Sequence, residues 1–195
     1  MAKRVKLVAV KVLNSSGNGA TSGVIAGIQW AARRAAGQKA VANMSLGGPY
    51  SAAMNSAVGS AVNSGLTFVV AAGNSNTDAS GTSPASQRLA ITVGATDSND
   101  RRAPYSNYGA VLDIFAPGSN IVSAGIASND ASKTLSGTSM ASPHVAGVTA
   151  YLLGLESLSS PADVAKRLQD LASNDYVSNA GGGSPNLLLY NGCGK

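Results

Sequence analysis

Cysteine, histidine and early acidic residues are what this sequence is short of. Its 195 residues include one cysteine, Cys193, and one histidine, His144. A single cysteine excludes an internal disulfide and leaves no framework from which to read a redox compartment. No Asp or Glu precedes Asp78, although Lys3, Arg4, Lys6, Lys11, Arg33, Arg34 and Lys39 do, and the net charge is +5. These early cations are not interleaved with aromatics. Arg33 and Arg34 stand just before Gly37, where cations complement the negative end of a helix. The excess therefore predicts no nucleic-acid partner. No apolar run reaches the ~20 residues of a membrane span, so no membrane partner is expected. The start M-A-K-R-V-K-L-V-A-V-K-V-L lacks a sustained apolar region and a small-residue cleavage site. It reads as a strand and not as a signal peptide.

What is present suits one α/β domain. Hydrophobic residues make up 44% of the chain, charged residues 12%, and there are 23 glycines, a composition for closely packed helices joined to a sheet by many turns. Val5 to Leu13 predicts a buried strand, followed by a glycine-rich turn and a helix over about 19–36 that Gly37 closes. Strands are expected at about 41–46, 66–72, 90–95, 111–115 and 121–123, with a final edge strand at 187–190. Helices are expected at 51–64, 139–153 and 161–172. The β-α-β-α-β rhythm implies a parallel sheet with helices on both faces.

Two segments invite a functional reading. The loop from Gly17 to Gly23 follows a strand and opens a helix. Its spacing is one residue too long for a dinucleotide fingerprint, and no acid follows about 20 positions on, so it reads as a plain turn. The run L-S-G-T-S-M-A-S-P-H-V-A-G, Leu135 to Gly147, sets Ser139 at the very start of a long helix. Free N–H groups and the positive end of the helix dipole favour an oxyanion there. Pro143 is tolerated so early in a helix. By itself, a serine in this place is also an ordinary helix cap.

That run resembles the serine motif of the subtilisin-like proteases, the proteinase K branch in particular. N-M-S-L-G-G at Asn43 to Gly48 and V-V-A-A-G-N at Val69 to Asn74 extend the resemblance. So do S-P-A-S at Ser83, T-V-G-A-T-D at Thr92, Y-S-N-Y-G at Tyr105 and L-D-I-F-A-P-G at Leu112. The resemblance implies a three-layer subtilisin-like fold and a serine endopeptidase acting on protein or peptide substrates. Ser139 is then the nucleophile, and Asn74 the side-chain donor of the oxyanion hole, assisted by the N–H of Ser139. Ser45, Leu46 and Gly47 form the edge on which substrate lies as an added strand, and Ala71, Ala72 and Gly73 line the pocket before the scissile bond. A structural Ca2+ is implied at the Asp113 carboxylate with the carbonyls of Arg88 and Ala90, although the family's proline and valine are replaced at those two carbonyl positions. The proteinase K disulfide positions fall at Ile91 and Ala165. An extracellular location is likewise implied.

The same resemblance shows what these residues do not supply. A serine hydroxyl needs a base, and the base needs an orienting group. The family places its aspartate and histidine before the strand at Val5. His144 cannot replace them, because five helical steps turn a side chain about 140° away and raise it roughly 7.5 Å. The chain is therefore expected to be a partial peptidase domain lacking its N-terminal part, inactive alone, with an open sheet edge. A missing N-terminal segment of the same precursor would complete it. The alternative is a non-catalytic remnant that binds peptides.

Overall fold

The structure, a computed structural model, describes residues 2–193. In chain order it contains α1 (Thr21–Ala35), β1 (Val41–Met44), β2 (Gly48–Pro49), α2 (Ala52–Asn63), β3 (Thr67–Ala71) and β4 (Thr82–Ser83). There follow β5 (Ile91–Thr96), β6 (Ile114–Pro117), β7 (Ile121–Ala124), β8 (Ser132–Leu135), α3 (Thr138–Leu155), α4 (Pro161–Leu171), β9 (Ser173–Asn174) and β10 (Leu187–Leu188). The helix starts follow local chemistry: Ser51 Oγ accepts from Met54 N to cap α2, and Ser160 Oγ accepts from Asp163 N to cap α4, with Pro161 at the first helical position.

The main sheet has six strands in the order β1-β3-β5-β6-β10-β9. Every neighbouring pair is parallel except β10 with β9. β3 and β5 are buried along their whole length, as strands covered on both faces must be. Alternation divides their side chains between two layers. Val69, Val93, Ile114 and Ala116 pack with Val145 and Leu152 of α3 and Leu168 of α4. Phe68 and Val70, one step out of phase, pack with Ile28 of α1 and Met54 and Val58 of α2. The α/β architecture with helices on both faces of a parallel sheet is thus as the sequence implies.

Three local expectations are corrected. Val5 to Leu13 forms no strand. No neighbour supplies a ladder, and Val5, Leu7, Val8 and Val10 remain exposed. The segment instead lies against α1, where a Cβ on Gly27 would stand 2.5 Å from Val12 Cγ1. The strand expected at 111–115 begins only at Ile114, because the turn at Gly109 takes Leu112 N to Gly109 O. β10 is internal, since the short β9 pairs outside it. The hairpin of β7 with β8 was not legible in the polar run of β8. β1 ends the sheet on the other side, and its outer edge is bare among the described residues.

Burial makes a direct comparison possible. Leu168 is 1% exposed in the α3–α4 core and Leu7 is 88% exposed. Leu168→Ala is expected to lower unfolding stability by about 2–5 kcal/mol, and Leu7→Ala to change it by less than about 0.5 kcal/mol, both read from urea denaturation.

Candidate active site

Three chain segments converge at the C-terminal ends of β1 and β3: residues 43–47, residues 71–74 and the start of α3. Thr138, fully buried, joins the last two. Gly73 N–H, which can only donate, points at Thr138 Oγ1 at 3.1 Å. The Thr138 hydroxyl proton is therefore left for Asn74 Oδ1 at 3.0 Å, and Thr138 N donates to the same oxygen at 2.8 Å. Two donors on one oxygen fix the orientation of the amide, so Asn74 Nδ2 is turned out as a donor. The first intrahelical bonds of α3 run from Met140 N and Ala141 N to Gly137 O, which leaves Ser139 N–H outside the ladder. A Cβ on Gly137 would stand 3.6 Å from Ser139 N and 3.7 Å from both Nδ2 and Oδ1 of Asn74. Both donors thus border the space that this glycine keeps open, beside the positive end of α3.

Pro143 shapes the other side of Ser139. It has no N–H to give to the carbonyl four residues earlier, which is that of Ser139. Ser45 Oγ donates to this carbonyl instead, at 2.7 Å, while Asn43 Nδ2 donates to Ser45 Oγ at 3.0 Å and Ser142 Oγ donates to Asn43 Oδ1 at 2.6 Å. A relay of side chains therefore pins the end of β1 to the first turn of α3. Ser139 itself is half-buried, and its hydroxyl reaches only Ser45 O, at 3.4 Å. His144 Nδ1 is paired with Met140 O at 2.8 Å on its own helix. No base faces Ser139 among the described residues.

The remaining sequence-derived positions separate by exposure. Ser45 and Leu46 are half-buried and Gly47 is exposed, lying along residues 83–84 where a Cβ would meet Ser83 O at 3.2 Å. Ala71 and Ala72 are buried, whereas Gly73 is half-exposed. Gly73 has φ +105, and a Cβ there would meet Asn107 Nδ2 at 2.4 Å, so both backbone and packing demand glycine. Asp113 lies away from this junction. Its Oδ2 accepts from Thr92 N at 2.7 Å, and loss of hydration pushes its pKa up to about 6 against the opposing pull of that bond and of Arg88. Arg88 is exposed, with its guanidinium on Ala110 O, and Ala90 is buried. No group of three or more His, Cys, Asp or Glu comes together among the described residues. A hard cation at Asp113 would therefore rely on backbone carbonyls and water for its other ligands.

Thr138 and Asn107 escaped the sequence reading as site residues. Thr138 sits in the quoted serine run and Asn107 in Y-S-N-Y-G. Only the contact of Thr138 with Gly73 and Asn74 across 65 and 64 positions of sequence reveals its part.

The α/β fold thus sets Ser139 at a helix start, beside its own backbone N–H and the side-chain amide of Asn74. The chain belongs to the Subtilase family, whose model matches residues 1–191. It is 56% identical over 194 residues to Subtilisin-like protease 2 of Pseudogymnoascus destructans, covering 100% of this chain and 48% of that protein. It is 53% identical over 196 residues to Alkaline protease 1 of Aspergillus flavus, covering 98% of this chain and 48% of that protein. A crystal structure of a cold adapted subtilisin-like serine proteinase superposes with a TM-score of 0.92 at 51% identity, covering 97% of this chain and 68% of that one. The chain thus spans about half the length of the curated relatives it matches.

Two outcomes follow from this geometry. Thr138→Val strands Gly73 N–H and is expected to cost about 1–3 kcal/mol of stability, while Thr138→Ser keeps the hydroxyl and most of that stability, measured by denaturant unfolding. A carboxyl whose folded pKa is raised from 3.8 to about 6 binds its proton more tightly in the folded state. Stability contributed by protonated Asp113 is therefore lost as pH rises through that window. Asp113→Asn is expected to flatten this part of the pH–stability profile.

Proposed function

We propose that this chain is the nucleophile-bearing part of a serine endopeptidase domain that hydrolyses peptide bonds in proteins. The arrangement of Ser139 N–H and Asn74 Nδ2 around one open space carries the reading. In it, Ser139 Oγ attacks the scissile carbonyl, and the two donors stabilise the oxyanion that forms. Fixed dipoles of this kind act on charge present only in the transition state. Removing the side-chain donor costs roughly 10²–10³ in kcat, a loss known from a subtilisin rather than obtained from this structure. An extended peptide pairs with the backbone of Ser45, Leu46 and Gly47. Ala71, Ala72 and Gly73 wall the pocket before the scissile bond; with the two alanine side chains buried, Gly73 provides the open surface.

The base that deprotonates Ser139 comes from outside these 195 residues, since His144, the single histidine, is held on Met140 O. The held histidine also supports a second reading, a peptide-binding remnant without turnover. Asp113 with the carbonyls of Arg88 and Ala90 would hold a structural calcium ion, whose charge would relieve the poorly hydrated carboxylate. In the endopeptidase reading the protein works outside the cell. No described helix is long and apolar enough to cross a membrane.

Fluorophosphonate labelling followed by intact mass tests the reading. The 195-residue chain alone is expected to label no faster than its Ser139→Ala variant, and a longer protein that contains it and supplies a histidine is expected to label at Ser139. Rapid labelling of the chain alone would overturn the need for an outside base. A longer, histidine-bearing protein that stays unlabelled would favour the remnant.

A further inference from the structure

Asn74 has to aim its amide within a stretch that has no regular secondary structure. From Ala72 to Thr77 the chain forms neither helix nor strand. Backbone bonds hold its two ends, Ala72 N–H on Val93 O and, beyond Asn74, Asn76 N–H on Tyr105 O with Tyr108 N–H on Thr77 O, and leave the turn at Asn74 to another group.

That group is Asn107, a polar residue with no exposed surface. Its Oδ1 accepts from Ser75 N at 3.0 Å, from Thr77 N at 3.2 Å and, weakly, from Thr77 Oγ1 at 3.4 Å. Its Nδ2 donates to Ala72 O at 2.9 Å, and its own N–H donates to Gly73 O at 3.0 Å. Asn107 thus bonds to the backbone on both sides of Asn74 and never to Asn74 itself. The two backbone donors on Oδ1 fix the orientation of the Asn107 amide. At Gly73 the fit is so close that a Cβ would strike Nδ2. Arg102, 7% exposed, adds a second tie by donating from Nη1 to Asn76 Oδ1 at 2.8 Å.

We propose that Asn107 is the positioning residue for the oxyanion hole: it sets the backbone at Asn74, while Thr138 sets the side chain. The inference rests on the endopeptidase reading given above. Its physical basis is that a donor contributes fully only when held at the position the oxyanion will occupy. Loss of Asn107 would let the 72–77 loop relax and shift Asn74 Nδ2. The donor would remain, wrongly placed.

The test compares Asn107→Ala, Asn107→Asp, Asn74→Ala and the double variant Asn107→Ala with Asn74→Ala, in the active protein that contains this chain. The substrate is a peptide p-nitroanilide. Asn107→Ala is expected to lower kcat by about 10²-fold, the effect of roughly 1 Å of misplacement. KM should stay within about threefold, because the lost interaction exists only in the transition state. Asn107→Asp keeps the acceptor for Ser75 N and Thr77 N and is expected to recover part of the loss. On the Asn74→Ala background, Asn107→Ala should cost nothing more, whereas fully additive losses would mark a merely structural residue and overturn the proposal. Wild-type kcat in Asn107→Ala beside a damaged Asn74→Ala would overturn it too. Wild-type kcat in Asn74→Ala would sink the oxyanion-hole reading itself.

Should Asn107→Ala fail to fold, Asn107→Asp carries the comparison with a readout that needs no turnover. In the 15N-labelled active protein that contains this chain, the Asn74 side-chain amide protons are expected to shift in Asn107→Asp. Unchanged Asn74 amide resonances would overturn the proposal.

Discussion

The hydroxyl of Thr138 joins two elements that the fold brings together from distant parts of the chain. From the first residue of α3, it accepts from Gly73 N–H and donates to Asn74 Oδ1, both just past the end of β3. Because the backbone N–H has only one polarity, the direction of every hydrogen bond in this relay is determined. Turning the Asn74 amide over would set its NH2 group against two donors. The position of the Nδ2 donor is therefore a consequence of a buried threonine and a strand end, and it exists before any substrate arrives. Preorganisation of this kind avoids the reorganisation cost that water would pay at the moment charge develops.

Pro143 acts in the same structure through what it lacks. Without its N–H the carbonyl of Ser139 has no helical donor, and a half-buried carbonyl left unpaired would cost stability. Ser45 Oγ takes the vacancy, and Asn43 and Ser142 hold Ser45 in turn. A residue usually regarded as a helix breaker thus becomes the reason that β1 and α3 are tied at their ends. This tie places the backbone of Ser45 to Gly47 beside Ser139. The restriction of Gly73 to a positive φ and the bracket of Asn107 complete the frame from the β3 side.

The central elements were legible because their signals are local. The apolar runs of β3 and β5 and the alanine-rich α1 each identify themselves within a few residues. Val5 to Leu13 carried an equally good strand signal and failed, since pairing depends on a neighbour and not on propensity alone. β10 was mistaken for an edge for the same reason, as β9 is too short and polar to announce itself. In the site, Ser139, Asn74 and the Ser45 edge were legible through motif resemblance. Thr138 and Asn107 were not, because their parts consist of hydrogen bonds across 65 and 35 positions that no spacing rule encodes.

The bare edge of β1 and the hydroxyl of Ser139 lie close together. β1 ends at Met44, and the next residue, Ser45, bonds to the carbonyl of Ser139 and receives its hydroxyl. A strand paired with the outer edge of β1 would therefore run beside Ser45 and Ser139. On the opposite side of Ser139 every donor is already committed to a direction by Thr138, Gly137 and the start of α3. The Asn74 amide is thus oriented by residues within this chain. No base faces Ser139 among the described residues, and the edge of β1 beside it carries no further strand there.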